Sequence, residues 1–287
     1  VLSCIRSWIK EDRASFLYAG LENLETSLSE IAGLAEATLQ PCAGAHGEMT
    51  GVMIINAYHQ SRGENRIKVL TPDSAHGTNP ATCAVCGRHA LTVASKSDGR
   101  VDLDDLRSKV DEQTAALMIT NPNTVGVFDS QIVEIADILH AKGALLYLDG
   151  ANMNAILGLA RPGDFGVDVM HFNVHKTFGS PHGGSGPGTG AMGCREEFAK
   201  YLPYPTVEKD AETGRYFLDY DRPKSIGYIA PFYGNFGIIV RAYAYLLMLR
   251  LIESVGKACG AEDRFRQAVD LKNAFEGTTG RIFTMSG

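Results

Sequence analysis

A lysine and an aspartate stand beside two apolar runs of this sequence. Asp149 ends the run Ala144-Leu-Leu-Tyr-Leu-Asp, and Lys176 follows a second apolar run and precedes a glycine-rich loop. A buried amine can form a Schiff base with an aldehyde, and a carboxylate can hold a pyridine nitrogen protonated. A pyridoxal phosphate site needs these two groups most. The pair therefore predicts carbanion chemistry on an amino acid, with Lys176 buried rather than solvated.

A run of small residues marks a candidate phosphate site. Residues 40–51 place Ala45 and His46 immediately before a predicted helix. Backbone N–H groups at a helix start can converge on an anion, helped by the positive end of the helix dipole. Ala45 and His46 are therefore candidate phosphate ligands. The alternative is an ordinary tight loop at a helix start.

Other loops supply further candidates, each with a structural alternative. His76 can stack its ring on a planar cofactor, or it can be a surface histidine. Asn121 and Thr124 can bond a phenolic oxygen or a substrate carboxylate, although Asn-Pro-Asn is itself a common turn signal. His175, next to the lysine, can bind phosphate or donate a hydrogen bond, or it can simply pack.

The elements that must position these residues alternate between short β-rich apolar runs and helical patterns. This alternation predicts βαβ units, a mostly parallel sheet and an α/β three-layer sandwich. Ligands collect at the carboxyl ends of the strands in such sheets, and polar segments follow the predicted strands here. The predicted strands are residues 67–71, 90–94, 115–120, 144–149 and 167–172, and the predicted helices are residues 47–61, 103–110, 132–142, 236–254 and 262–275.

Charge and hydropathy exclude several classes of partner. A net charge of −6 and a pI near 5.8, with no long basic stripe, argue against a nucleic-acid surface. The longest apolar stretch, residues 238–252, is interrupted by Arg241 and Arg250, so we expect no membrane span. The chain begins at Val1 without an initiator Met, and we expect it to be an excerpt of a longer protein.

The cysteines are scattered without a disulfide-like framework, which fits a reducing compartment. Cys83-Ala-Val-Cys86 followed by His89 can be a metal or redox motif, but a lone CxxC without a second pair is weak evidence. We expect small buried thiols and no metal.

Residues 188–193 formally match GxGxxG. A dinucleotide fingerprint must follow a strand and open a helix, whereas a glycine-rich loop precedes this one. We therefore reject a nicotinamide site. The glycines instead allow backbone to lie close to the cofactor lysine.

Taken together, these segments resemble the P-protein family of the glycine cleavage system, the pyridoxal-phosphate-bearing glycine decarboxylases. The resemblance covers roughly residues 20–255. The matching segments are LQPCAGAHGEMTG (39–51), PDSAHGTNPA (72–81), LMITNPNTVGVF (117–128), LYLDGANMNAILGLARPGDFGVDV (146–169), HFNVHKTFGSPHGGSGPG (171–188) and FYGNFGIIVRAYAY (232–245).

The resemblance implies a fold and a set of roles. The fold is fold type I, like aspartate aminotransferase, with a large cofactor-binding domain at 21–235. Residues 1–20 diverge from the family, and 236–287 are a long helix and the start of a small domain that is largely missing. Lys176 would carry the cofactor, Asp149 would keep the pyridine nitrogen protonated and His76 would stack on the ring. Residues matching the phosphate site would be Ala45, His46 and His175.

The resemblance also implies the reaction and its partners. Glycine would lose its carboxylate as carbon dioxide, and the aminomethyl group would pass to the lipoyl arm of an H-protein. In bacteria with a divided enzyme this chain would be the second subunit of an oligomer with a related P-protein subunit, in the cytoplasm; a eukaryotic form would lie in the mitochondrial matrix. The alternatives are another fold-type-I reaction, such as transamination or desulfuration, and a truncated chain that folds and assembles without catalysis.

Overall fold

The frame of the molecule is a seven-stranded sheet. The computed structural model describes residues 13–180, 182, 186–230 and 233–258. The strands run in the spatial order β1-β7-β6-β5-β4-β2-β3, and β7 alone is antiparallel to its neighbours β1 and β6. The strands are β1 (Glu36–Thr38), β2 (Lys68–Pro72), β3 (His89–Val93), β4 (Thr114–Ile119), β5 (Leu145–Gly150), β6 (Val169–Asn173) and β7 (Gly190–Cys194).

Helices cover the sheet, and a small hairpin lies beside it. The helices are α1 (Arg13–Ala32), α2 (Gly44–Ser61), α3 (Thr78–Val85), α4 (Leu103–Lys109), α5 (Ile132–His140), α6 (Val174–Thr177) and α7 (Phe236–Ala258), and the hairpin pairs β8 (Thr206–Lys209) with β9 (Tyr216–Asp219). Two short 3₁₀ turns, Pro162–Phe165 and Glu196–Tyr201, precede β6 and follow β7. None of the helices in the described ranges is long and apolar enough to cross a membrane.

Alternate residues of the central strands bury into two separate cores. On β5, Leu146 and Leu148 join a cluster that includes α1 and α5, while Leu145 and Tyr147 join a second cluster with α2. Successive side chains of a strand point to opposite faces, so a central strand covered on both sides must be apolar throughout. The expected mostly parallel sheet and three-layer architecture are confirmed.

A glycine stripe brings α2 unusually close to the sheet. Gly44, Gly47 and Gly51 lie on the side of the helix that faces β6, β5 and β7. A Cβ on Gly47 would lie 2.5 Å from the carbonyl oxygen of Gly190, and one on Gly51 would lie 2.4 Å from Cε2 of Tyr147. Such distances are too short for any side chain. The stripe is therefore what places the first turn of α2 against the carboxyl ends of the strands.

Several elements depart from the sequence expectations. The helix predicted at 47–61 begins at Gly44, and α1 and α3 were not predicted. Part of the GxGxxG segment is strand β7, paired with both β1 and β6. Glycine has low strand propensity, so its pairing here reflects the close approach of the neighbouring backbone. The predicted helix at 262–275 lies outside the described residues.

Candidate active site

The carboxyl ends of two adjacent parallel strands bring the predicted lysine and aspartate to one edge of the sheet. Asp149 lies opposite His171 in the β5–β6 register, and β6 ends two residues later at Asn173. Helix α6 begins at once and carries Lys176 in its single turn. Because so few residues separate the end of β6 from Lys176, the strand fixes the position of the main chain that carries the lysine.

Asp149 is buried and held by neighbours from three elements. Its side chain is 4 % exposed. Oδ1 accepts a hydrogen bond from the backbone N–H of Ala151 at 3.0 Å, and Oδ2 accepts one from Nδ2 of Asn79 at 3.1 Å. Nε2 of His171 lies 3.4 Å from Oδ1. A buried carboxylate is stable only when such partners satisfy it, so this one is built into the sheet edge.

Lys176 corrects one expectation from the sequence. It is exposed rather than buried, and its amine makes no hydrogen bond or ion pair within the described residues. The reason lies in the one-turn helix: Val174 and His175 are buried and take the inward positions, which leaves the next residue on the open side. An unpaired amine at the open edge remains accessible to an aldehyde.

The first turn of α2 offers unpaired backbone donors beside this edge. The N–H groups of Ala45 and His46 have no acceptor in the described part of the chain, as expected for a helix start. The ring of His46 is engaged elsewhere, since its Nδ1 accepts a hydrogen bond from the N–H of Cys42 at 3.1 Å. Burial lowers the pKa of His46, so the ring is neutral and stabilises the loop through its hydrogen bond. The two backbone N–H groups, rather than the ring, can bind an anion.

His175 is buried next to Lys176, with one ring nitrogen engaged by the main chain. Its Nδ1 accepts a hydrogen bond from the N–H of Thr189 at 3.0 Å, so the proton of the neutral ring lies on Nε2. Burial, followed by the neighbouring His182, lowers the pKa of His175 to about 4. The ring is therefore neutral at physiological pH and keeps one free donor.

Asn173 was missed by the sequence reasoning. It is buried at the end of β6, and its Oδ1 has no hydrogen-bond partner. The amide lies against the first residue of α2, because a Cβ on Gly44 would lie 2.5 Å from Oδ1 and 2.8 Å from Nδ2. Turning the amide presents N–H instead of C=O at the same place. Its position three residues before the lysine, on the same strand-to-helix turn, is the signal that could have identified it.

His76 is exposed in the loop between β2 and α3, as a residue that stacks on an open cofactor site would be. Its Nδ1 lies 2.8 Å from Oγ1 of Thr78 and 3.2 Å from the N–H of the same residue. These contacts hold the ring at the start of α3. The proposed stacking role stays a prediction.

Asn121 and Thr124 both bond to the main chain of neighbouring loops. Asn121 is buried, and its side chain accepts a hydrogen bond from the backbone N–H of Asp129 at 2.9 Å and donates one to the carbonyl of the same residue at 3.2 Å. Thr124 donates to the carbonyl of Ser74 at 2.5 Å. Both side chains hold loops to the main chain, and their expected role in binding a phenolic oxygen or a substrate carboxylate stays a prediction.

Glu48 is a second functional candidate that the sequence reasoning missed. It is 3 % exposed and lies one turn into α2. It accepts hydrogen bonds from Oγ1 of Thr78 at 2.7 Å, Nδ2 of Asn79 at 3.2 Å and Oγ1 of Thr82 at 3.2 Å. A buried carboxylate in a helix beside small residues is invisible to periodicity alone, because the helix looks simply amphipathic.

The remaining sequence motifs take structural places. Cys83 is buried against Met118, with Sγ 3.6 Å from Sδ, and burial raises its pKa to about 12. Burial also raises the pKa of Cys86, so neither thiol has the thiolate character of a reactive site. Gly188 lies against the ring of His175, and the GxGxxG segment opens no helix. Cys83 is thus buried as expected, whereas Cys86 is half-buried, and the GxGxxG segment does not have the strand–turn–helix context of a dinucleotide loop.

The donor set fits a phosphorylated pyridine aldehyde. A free amine, a buried carboxylate and a helix start with unpaired N–H groups lie on one edge of the sheet. The orphaned amide oxygen of Asn173 borders the same helix start, and the ring of His175 lies against Gly188. The aldehyde, the pyridine nitrogen and the phosphate of such a molecule therefore each have a matching group in this chain.

A family model and several curated proteins match this sequence. The model of the family described as Aminotransferase class-V matches residues 47–206. A probable glycine dehydrogenase (decarboxylating) subunit 2 from Halalkalibacterium halodurans is 60% identical over 224 residues, covering 78% of this chain and 46% of the relative. The protein of the same name from Chloroherpeton thalassium is 56% identical over 227 residues, again with 78% and 46% coverage. The chain spans about half the length of the curated relatives it matches.

Solved structures share the fold. A glycine decarboxylase (P-protein) of the glycine cleavage system, in inhibitor-bound form, superposes with a TM-score of 0.62 at 24% identity, covering 83% of this chain and 53% of that one. A NifS-like protein superposes with a TM-score of 0.60 at 18% identity, covering 82% and 59%. At these identities the structures establish the architecture alone.

Proposed function

The chain belongs to the class-V aminotransferase family, and we propose that it is the cofactor-binding part of a pyridoxal-phosphate-dependent glycine decarboxylase. The observation that carries the proposal is the placement of Lys176 and Asp149 on one strand edge in a chain 55–60% identical to glycine dehydrogenase subunit 2 proteins. At such identity the residues around a site are largely shared, which the fold alone does not ensure.

The position of each side chain indicates its role in cofactor binding. Pyridoxal phosphate, when bound, supplies the electron sink for the electron pair that decarboxylation leaves behind. Lys176 supplies the amine that holds the aldehyde carbon, and Asp149 holds a proton on the pyridine nitrogen. The N–H groups of Ala45 and His46 bind phosphate at the start of α2. Nε2 of His175 adds a neutral donor to the same group.

The partners follow from the same assignment. The name subunit 2 carried by the relatives implies a partner subunit, and we propose a related P-protein subunit in an oligomeric enzyme. The aminomethyl acceptor is then a lipoylated H-protein. The exposed amine at the open sheet edge is consistent with a site that another part of the enzyme covers. Closing such a cleft excludes water and strengthens its electrostatics.

The test has two stages, both made on the protein combined with its partner subunit. First, borohydride reduction after addition of pyridoxal phosphate should attach the label to Lys176, as mapped by peptide mass spectrometry. Lys176→Arg should lose the label, whereas Lys142→Arg, which alters a surface lysine paired with Glu112, should retain it. Second, glycine and lipoylated H-protein should support carbon dioxide exchange. A label confined to another lysine would contradict the proposal.

A second reaction of the same fold is the alternative. The NifS-like protein matches almost as well in TM-score as the glycine decarboxylase, so the architecture does not separate the reactions. Transamination would convert a keto acid without H-protein, and desulfuration would release sulfur from a thiol amino acid. Turnover of either substrate with no glycine-dependent carbon dioxide exchange would favour the alternative.

A further inference from the structure

A row of buried polar side chains leads to Asp149 from within the sheet. Tyr147 lies two residues earlier on β5, and His171 lies opposite Asp149 on β6, so all three share one face of the sheet. The hydroxyl of Tyr147 lies 2.7 Å from Nδ1 of His171. Nε2 of His171 lies 3.4 Å from Oδ1 of Asp149, a close approach of a ring nitrogen to a carboxylate rather than a hydrogen bond, and it has no hydrogen-bond partner among the described residues. The row thus joins the phenol to the imidazole by a hydrogen bond and brings the imidazole close to the carboxylate.

One arrangement of protons gives the phenol of Tyr147 an acceptor. Burial raises the pKa of Tyr147 well above its ordinary value, so the phenol stays protonated. Its one proton has His171 as the sole acceptor in the described part of the chain, and it therefore points at Nδ1. A neutral imidazole that accepts at Nδ1 carries its proton on Nε2. That nitrogen is the one that lies nearest to Asp149.

A hydrogen bond holds the other carboxylate oxygen, Oδ2 of Asp149. Nδ2 of Asn79 lies 3.1 Å from Oδ2 of Asp149 and 3.2 Å from Oε2 of Glu48. A primary amide has two N–H groups, one for each carboxylate. The reversed amide would aim a carbonyl at two anions, so Glu48 fixes the orientation of Asn79. Asp149 is thereby held from both of its oxygens.

We propose that His171 and Asn79 are positioning residues for Asp149, with Tyr147 fixing the tautomer of His171 and Glu48 fixing the amide of Asn79. Oδ1 receives the N–H of Ala151 and faces His171, while Oδ2 receives one N–H and keeps a lone pair. That lone pair is the one available to a pyridinium N–H. The inference rests on the proposed function, because it assigns Asp149 to the pyridine nitrogen.

The same cluster has the composition of a metal site, and the hydrogen-bond pattern argues against that role. Ligand atoms of Glu48, Asp149 and His171 lie within 4.8 Å of one another. Three N–H and O–H donors already occupy Glu48. A protonated Nε2 on His171 cannot ligate a metal. A cation would have to displace these donors from a buried position, which is unfavourable.

The test removes one hydroxyl and compares it with a matched control. Tyr147→Phe deletes the phenol that fixes His171. Tyr201→Phe deletes a comparably buried phenol, which bonds Oγ of Ser61 at 2.6 Å and lies outside the site. Both are made in the protein assembled with its partner subunit, in the natural background and with Asp149→Asn. Pyridoxal phosphate affinity and the pH titration of the bound cofactor's absorbance are measured.

We expect Tyr147→Phe to weaken cofactor affinity about tenfold and to shift the absorbance titration, because a buried partner loses its hydrogen bond. Tyr201→Phe should leave both unchanged. In the Asp149→Asn background Tyr147→Phe should have no further effect, since the phenol and His171 act through Asp149. His171→Gln provides a second variant: its amide can donate without the phenol, so adding Tyr147→Phe to it should change little.

Three results would overturn the inference. Identical cofactor titrations for Tyr147→Phe and Tyr201→Phe would show that the phenol does not act on Asp149. An equal loss in the Asp149→Asn background would show a merely structural effect. A stoichiometric Zn²⁺ or Mn²⁺ retained by the protein and lost with Glu48→Gln would establish a metal site instead. If borohydride labels no Lys176 in the unmodified protein, the proposed function fails as well; if it does, only the inference is at stake.

Discussion

Gly51 lies directly beneath the ring of Tyr147, with no space for a side chain between them. A Cβ at this position would lie 2.4 Å from Cε2 of the tyrosine and 3.0 Å from Cε of Met192. Helix α2 can therefore approach β5 only because residue 51 is glycine. The same close approach fixes the distance between the sheet and the first turn of α2. The N–H groups of Ala45 and His46 lie in that turn. A packing requirement in the core thus positions the proposed phosphate site.

Gly51→Ala should destabilise the protein by about 1–3 kcal/mol, because the added methyl must displace the tyrosine ring or the helix. The matched control is Gly20→Ala in α1, where the nearest atom to a new Cβ is 4.0 Å away. Alanine has the higher helix propensity, so the control should stabilise by up to about 1 kcal/mol. Denaturant unfolding measures both. Equal effects of the two substitutions would refute the close-packing argument.

Asp149→Asn should retain cofactor but lose most glycine-dependent carbon dioxide exchange, on the order of a hundredfold in turnover. A neutral amide preserves the shape and the hydrogen bond from Ala151 but does not stabilise a positive charge on the pyridine nitrogen. The measurement is exchange activity and cofactor content of the fully assembled enzyme. Unchanged turnover at full occupancy would remove Asp149 from this role.

The sequence was informative wherever a strand and its following loop are contiguous. Apolar runs predicted β4, β5 and β6 to within two residues, and Asp149 lies where the end of its run indicated. The sequence did not predict pairs that form across the sheet. Glu48 meets Asn79 from another helix, and His171 meets Tyr147 from the neighbouring strand. Such contacts depend on register and helix height, which no local pattern encodes.

Exposure was the other property that the sequence did not predict. The flanking residues suggested a buried Lys176, but helical geometry sends adjacent side chains in different directions. Val174 is inside, and the lysine two residues later is outside. For Asn121, the sequence placed the residue in a polar loop but did not predict its hydrogen bond with the main chain of Asp129. Residue type and loop position alone do not show whether a polar side chain is already satisfied.

His175→Asn should weaken binding of pyridoxal phosphate about tenfold and binding of unphosphorylated pyridoxal little, because its free Nε2–H serves the phosphate. His89→Asn, at an exposed position on β3, is the control and should affect neither ligand. Titrations with the two ligands form a cycle that isolates the phosphate contribution. An equal loss for both ligands would mean that His175 acts only by packing.

The last prediction concerns pH and a buried aspartate at the opposite end of β6. Asp168 is almost fully buried and accepts hydrogen bonds from the backbone N–H of Leu146 at 2.7 Å and from Nη1 of Arg195 at 3.1 Å. Nε2 of His140, in the last turn of α5, lies 2.8 Å from Oδ2. This hydrogen bond raises the pKa of His140 above 6.5, with burial acting in the opposite direction. The folded state therefore binds the histidine proton more tightly than the unfolded chain does.

The sign of the effect follows by linkage. A raised folded-state pKa stabilises the protein fully below the unfolded value near 6.5, and this contribution is lost as the pH rises through the folded value. His140→Gln keeps an N–H donor for Asp168 but does not titrate. The unmodified protein should therefore exceed the variant in unfolding free energy by about 1 kcal/mol near pH 5.5, and the difference should shrink toward pH 9. Denaturant unfolding across this range measures it. In an Asp168→Asn background the pH dependence of the difference should disappear, and a difference that instead grew with pH would contradict the assigned interaction.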